Sequence, residues 1–349
     1  MIDAVMPTYA RYDVTLERGE GVYAFSTDGR RFLDFGAGIA VASLGHCHPH
    51  LVDALKSQAE TLWHCSNLYH IPGQERLAER LVSHTFADAV FFNNSGGEAV
   101  EMGFKMMRKY HAEAGHPERY RVISVEGAFH GRSLACISSG RQEKHTAGFG
   151  PLVDGFDQVA FGNMNEMRAA ITPETAGIVI EPVQGEGGIR PVDADYLKEL
   201  RAVADEFGIL LMYDEVQCGI GRTGKLYAHE WSGAAPDILA SAKGLGGGFP
   251  IGATLATEAV ADAMKAGSHG STFGGNPLAM AVGNAVLDVV LADGFMDNVT
   301  ARAEQLANGL DALVKKHPDI LAGHRGMGLM QGLQCQGENG ENGTLVGKL

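Results

Sequence analysis

Lys243 and Asp214 stand where an apolar chain turns abruptly polar. Lys243 ends the run Ile238-Leu-Ala-Ser-Ala242 and passes at once into Gly244-Leu-Gly-Gly-Gly248. Asp214 ends a second run, Ile209-Leu-Leu-Met-Tyr213, and opens Asp214-Glu-Val-Gln217. A lysine set against apolar strand residues loses hydration of its ammonium, so its pKa falls and the neutral amine becomes a nucleophile. A carboxylate at another strand end is what a protonated pyridine nitrogen needs. The pair predicts a Schiff-base lysine and the acidic partner of pyridoxal phosphate (PLP).

Other clusters could complete such a site. In Asn94-Ser-Gly-Gly-Glu98, Ser95, Gly96 and Gly97 join an apolar run to a helical one. Backbone N–H groups freed by glycine, with a serine hydroxyl, form a phosphate cradle at a helix N-terminus; a plain serine-capped turn explains the same residues equally well. Phe129-His-Gly-Arg132 offers an aromatic ring to lie over a flat cofactor and an arginine to grip a carboxylate through two hydrogen bonds. In isolation those four residues read more simply as a core Phe and a surface Arg. Glu181-Pro-Val-Gln-Gly-Glu186 sets two carboxylates around a turn, which resembles an acid/base pair loosely and a solvated loop equally. Gly270-Ser-Thr-Phe-Gly-Gly-Asn-Pro277 has hydroxyls and open backbone, as a flexible surface loop also would. Gly219-Ile-Gly-Arg-Thr-Gly224 matches a dinucleotide fingerprint, but Asp214–Gln217 separates it from its strand and no apolar helical face follows.

The elements that must position these residues alternate. Val22–Phe35 reads as a hairpin turning at Asp28-Gly29. Leu51, Val52, Leu55, Ala59 and Leu62 mark a helix from Pro49. Strands are expected at Val90–Asn94, Val122–Val125, Gly177–Glu181, Ile209–Tyr213 and Ile238–Ala242, with helices over Glu98–Tyr110 and Tyr196–Phe207, the latter closed by Gly208. Val299, Ala303, Leu306, Leu310 and Leu313 mark a long late helix, and Leu329–Cys335 a last strand before the glycine- and asparagine-rich run from Gly337. Such alternation predicts an α/β fold with a mainly parallel sheet, whose ligands lie beyond the carboxyl ends of the strands. Ser95, Glu181, Asp214 and Lys243 all fall there.

Composition narrows the chemistry further. The chain has 349 residues, length for two lobes, with 45% hydrophobic and 20% charged residues, ordinary for a globular enzyme. Its 47 glycines are nearly twice the usual ~7%, and many sit beside polar residues at the ends of apolar runs. A net charge of −14 argues against nucleic acid and anionic membrane as partners. Five widely spaced cysteines without a CxxC pair suit reduced thiols in the cytoplasm, and His46-Cys47-His48 lacks a second ligand cluster, so no metal is expected. Met1–Thr8 has neither a basic region nor an apolar core, and no signal peptide or membrane span is expected.

Taken together, from about Pro7 to Gln336, these motifs resemble the class III aminotransferases of fold type I, and most closely their acetylornithine branch. The resemblance implies a mainly parallel, PLP-binding large domain at 49–285. A smaller α+β domain would be built from 1–48 and 286–349. It implies Lys243 as the cofactor lysine, Asp214 on the pyridine nitrogen, Gln217 near the ring hydroxyl and Phe129 stacked on the ring. Ser95, Gly96 and Gly97 would bind the phosphate, completed by Thr272 of a neighbouring subunit in a homodimer. Arg132 would take a substrate carboxylate, and Glu186 resembles an acidic gate. The implied reaction moves the terminal amino group of N2-acetylornithine to 2-oxoglutarate. The same motifs would serve succinylornithine, succinyldiaminopimelate, ornithine or 4-aminobutyrate. The sequence departs from the family in two places. Gly97 stands where alanine or threonine is usual, and a further C-terminal strip bearing a carboxylate-binding arginine is missing. An incomplete small domain, an exposed edge and weakened activity are the corresponding expectations.

Overall fold

The computed structural model describes residues 4–337. At the N-terminal end, β1 (Leu16–Glu20), β2 (Tyr23–Ser26) and β3 (Arg31–Leu33) form an antiparallel sheet. The expected turn joins β2 to β3, with Gly29 at φ +85°, a backbone angle that suits glycine.

The remaining strands follow in order. They are β4 (Ala89–Asn93), β5 (Arg121–Val125), β6 (Phe156–Val159), β7 (Thr175–Ile180), β8 (Val183–Gln184) and β9 (Arg190–Pro191). After them come β10 (Leu210–Asp214), β11 (Ile238–Ser241), β12 (Gly252–Ala256), β13 (Leu321–Met327) and β14 (Met330–Cys335). Seven build the central sheet in the order β4-β12-β11-β10-β7-β5-β6. Only β12 is reversed: it pairs antiparallel with both β11 and β4, whereas β11, β10, β7, β5 and β6 pair parallel. Two reversals restore direction, so β4 points the same way as β11. The carboxyl ends of six strands therefore share one edge, and the start of β12 joins them there, with Gly252 opposite Asn93.

Alternation along β10 shows how the sheet is covered. Leu210 and Met212 pack with the apolar side of the helix Gly96–Glu113, and Leu211 and Tyr213 with that of the helix Ala194–Phe207. Successive side chains thus meet helices on opposite faces. Gly103 brings its helix close: an added Cβ would lie 2.5 Å from Met212 Cε. The helix Ala194–Phe207 ends as expected, with Gly208 at φ +61°. A third core gathers the helices Pro49–Ala59, Pro72–Ser83 and Pro277–Val290 beneath the turn that follows Lys243.

Towards the C-terminus the helix Phe295–Lys316 and the hairpin β13–β14 occupy the late helix and strand expected from the sequence. Of the predicted helical stripe only Val299 is fully buried, and Leu313 is exposed. The expectations for the chain beyond Gly337 lie outside the described residues.

Candidate active site

Five strand ends converge on one cavity of about 330 Å³. Ser95 follows β4, Phe129 and His130 follow β5, Glu181 follows β7, Asp214 and Gln217 end or follow β10, and Lys243 follows β11. The size suits a small flat cofactor with part of a substrate. Lys243 adopts φ +44°, a left-handed backbone angle that costs energy for a residue with a Cβ. The strain arises where the chain leaves the strand for a glycine turn, tight enough that a Cβ on Gly246 would lie 2.0 Å from the Phe249 carbonyl oxygen.

The electrostatics follow from burial. Lys243 has its pKa lowered by burial, against the opposing pull of Asp214, Glu186 and Glu181. Its amine makes no hydrogen bond among the described residues. Asp214 is buried; its Oδ2 lies 2.7 Å from His130 Nδ1, and its Oδ1 accepts from the Val216 N–H at 3.1 Å. Burial disfavours the charged form of His130, but the bond to Asp214 overrides it and the pKa rises. Glu181 accepts from the Phe129 N–H at 2.9 Å and the Gly185 N–H at 3.1 Å. Burial, and then the nearby Asp214 charge, push its pKa up to about 7.

The Ser95–Gly97 turn opens a helix, as both sequence readings of it require. Ser95 caps the helix Gly96–Glu113, its hydroxyl accepting from the Glu98 N–H at 3.2 Å. A Cβ on Gly96 would lie 2.6 Å from Val216 Cγ1, so glycine is required there. At Gly97 the nearest atom to an added Cβ is Gly131 Cα at 3.8 Å, so a methyl group fits and glycine here is a change without steric cause.

The rim residues are placed more loosely. Arg132 is exposed, with its guanidinium carbon 5.4 Å from the centre of the Phe129 ring, and it does not line the cavity. Glu186 is exposed and accepts from Gln217 Nε2 at 3.3 Å. Thr272 is exposed and lines a neighbouring hollow with Asn94, Gly97 and Glu101. The Gly219–Gly224 segment runs through turns into the short 3-10 helix Ala228–Trp231, without the helix a dinucleotide site needs.

Two cavity residues needed the fold: Glu181, which the sequence placed at a strand end but left without a role, and His130, which it missed. The solvated-loop reading of the Glu181–Glu186 turn holds for Glu186 and fails for Glu181, which is 3% exposed. His130 was passed over between Phe129 and Arg132. Its position at a strand end, one residue from a candidate ring-stacking aromatic, was the available signal.

The residues present fit PLP. A capped helix start with bare glycine amides suits the phosphate. A buried carboxylate with acceptor capacity facing the cavity suits the pyridinium, and an unpaired, partly desolvated amine suits the carbonyl. Comparison with known proteins agrees. Residues 5–349 match the family model Aminotransferase class-III. The acetylornithine aminotransferase of Mesorhizobium japonicum is 62% identical over 332 residues, which are 95% of this chain and 83% of that protein. The crystal structure of the ornithine aminotransferase from Toxoplasma gondii superposes with a TM-score of 0.94 at 31% identity, covering 99% of this chain and 83% of the other. The N-acetylornithine aminotransferase from Stenotrophomonas maltophilia gives a TM-score of 0.84 at 36% identity, covering 97% and 85%.

Proposed function

The chain belongs to the class III aminotransferases, fold type I enzymes that use PLP, and we propose that it moves the terminal amino group of N2-acetylornithine to 2-oxoglutarate. The substrate reading is carried by the 62% identity to an acetylornithine aminotransferase over 95% of the chain. Bound here, PLP supplies a carbonyl for the amine and a ring that accepts the electrons released at the substrate carbon.

Each residue then has a role. Lys243 Nζ would hold the cofactor and, as a free amine, would take a proton from the substrate carbon that bears the nitrogen. Burial lowers its pKa and so favours the neutral amine. Asp214 holds the ring N–H, and His130 fixes the Asp214 carboxylate in place. Ser95, Gly96 and Gly97 would bind the phosphate, Phe129 would stack on the ring and Gln217 would serve the ring hydroxyl, and all five line the cavity. Arg132 takes a carboxylate of each substrate in turn, and Glu186 gates the entrance.

The site is completed in a homodimer, with Thr272 of one subunit reaching the phosphate of the other. Trp63, Leu68, Tyr69 and Phe273 support this reading as an exposed apolar patch. Asn67 links its two segments by donating to the carbonyls of Ser271 and Gly274 at 3.1 and 2.9 Å. The five cysteines are all free, which supports a reducing, cytoplasmic setting.

The test is a panel of amine donors (N2-acetylornithine, N2-succinylornithine, ornithine and 4-aminobutyrate) with 2-oxoglutarate, following glutamate. N2-acetylornithine should give the highest kcat/KM. A higher value for any other donor overturns the substrate assignment, and no glutamate from any donor overturns the acceptor.

A further inference from the structure

We propose that Glu181 is a positioning residue whose single carboxylate locks together the two loops flanking the cavity, one carrying Phe129 and His130, the other carrying Glu186. Its Oε1 accepts from the Phe129 N–H at 2.9 Å and its Oε2 from the Gly185 N–H at 3.1 Å. Each oxygen therefore holds a different loop. Other ties are more peripheral. Gln184 Nε2 and Arg190 Nη2 donate to the Glu126 carbonyl at 3.0 and 2.8 Å, and Arg325 Nε donates from β13 to the Gly188 carbonyl at 2.6 Å. These fix the outer limbs of the same loops. Among these ties Glu181 is the one that lines the cavity, and it bonds the amide of the ring-stacking aromatic itself.

The task requires a carboxylate. Two backbone donors on opposite sides need two acceptor oxygens, whereas a glutamine offers one oxygen and one NH2 group, so one loop would face donor against donor. An acid placed beside Asp214 and out of water is costly to keep, and a residue needed only for packing would be apolar. The role rests on the transaminase reading, since Phe129 and Glu186 matter together only if one holds the cofactor and the other admits the substrate.

The experiment uses the PLP-loaded enzyme and its Glu181→Gln and Glu181→Asp variants. Hydrogen exchange should quicken about tenfold, the worth of one lost hydrogen bond, in peptides spanning 126–132 or 184–190, and stay unchanged in the helix Ala194–Phe207. KM for the amine donor should rise about tenfold with kcat within roughly threefold, because the tie orients groups that bind and does not itself react. Combining Glu181→Gln with Glu186→Gln should raise KM no further than the larger single effect. Unchanged exchange in both segments, faster exchange throughout the protein, or KM effects that multiply independently would each overturn the proposal. Should the glutamine variant fail to fold, the aspartate variant carries the same test, since it keeps both acceptors on an arm too short to reach both amides. If the wild-type enzyme transfers no amino group, the proposed function falls, and the exchange pattern still decides whether Glu181 ties the loops.

Discussion

Two adjacent residues, Asp214 and Glu215, each bury a carboxylate against a histidine, and the two pairs are bonded differently. Asp214 meets His130 Nδ1 and Glu215 meets His229 Nδ1, both at 2.7 Å. Glu215 is saturated: it also accepts from the N–H groups of Ala228 at 2.5 Å and His229 at 2.9 Å, and from Cys218 Sγ at 3.6 Å. Asp214 has one further donor, the Val216 N–H, and it lines the cavity. His130 Nε2 is buried without a partner among the described residues. The difference teaches that a buried acid is marked as functional by the hydrogen bonds it leaves unmade. A saturated acid staples a turn; an unsaturated one facing a cavity awaits a ligand.

The largest expected effects lie on the cavity side. Lys243→Ala should abolish turnover together with the borohydride-reducible cofactor linkage, because no second amine stands at that strand end. A reducible linkage surviving in this variant would move the nucleophile elsewhere. Asp214→Asn should slow turnover by at least ~10²-fold and cost less stability than loss of the Glu215 charge, since Asp214 holds fewer donors. A near-normal rate would remove Asp214 from the chemistry and collapse the contrast with Glu215.

Glu215→Gln should do the reverse. Its amide cannot accept from all the donors gathered around Glu215, so the folded state should lose roughly 2–4 kcal/mol, read by chemical denaturation. The kcat of the folded fraction should stay within about threefold. A rate loss as large as that of Asp214→Asn, without loss of stability, would make the two acids equivalent.

Much of this was legible in the sequence for a physical reason. Lys243, Asp214 and Ser95 break apolar runs, and a strand that ends in a charge or a cap announces its end locally. What needed the fold was pairing at a distance. His130 reaches Asp214 across 84 positions, and Glu181 meets the Phe129 amide across 52, so neither partner is visible from the other's neighbourhood. The split between Asp214 and Glu215 is equally hidden, because the chain after β10 could have presented either one to the cavity. Strand β12 was missed because Gly252-Ala-Thr-Leu-Ala256 carries little of the β-branched and aromatic bias that marks strands. It is held in place by its two neighbours.

The smallest expected effect sharpens the same contrast through a thiol. Cys218 sits beside Glu215, and burial, with that carboxylate's charge, holds its pKa well above the ordinary value. The thiolate is the reactive form, so native protein should leave Cys218 unlabelled by an aromatic disulfide reagent near neutral pH. Cys47, which is exposed, should react within minutes, and peptide mapping distinguishes the two. Glu215→Gln removes the neighbouring charge and loosens the turn, so labelling of Cys218 should rise several-fold. Asp214→Asn leaves the hydrogen bonds of that turn in place, and its charge weighs less on the thiol than that of Glu215, so it should change labelling by less than about twofold. If Asp214→Asn instead exposes Cys218 as fully as Glu215→Gln does, the two acid–histidine pairs form one cooperative unit and the division between staple and ligand site fails.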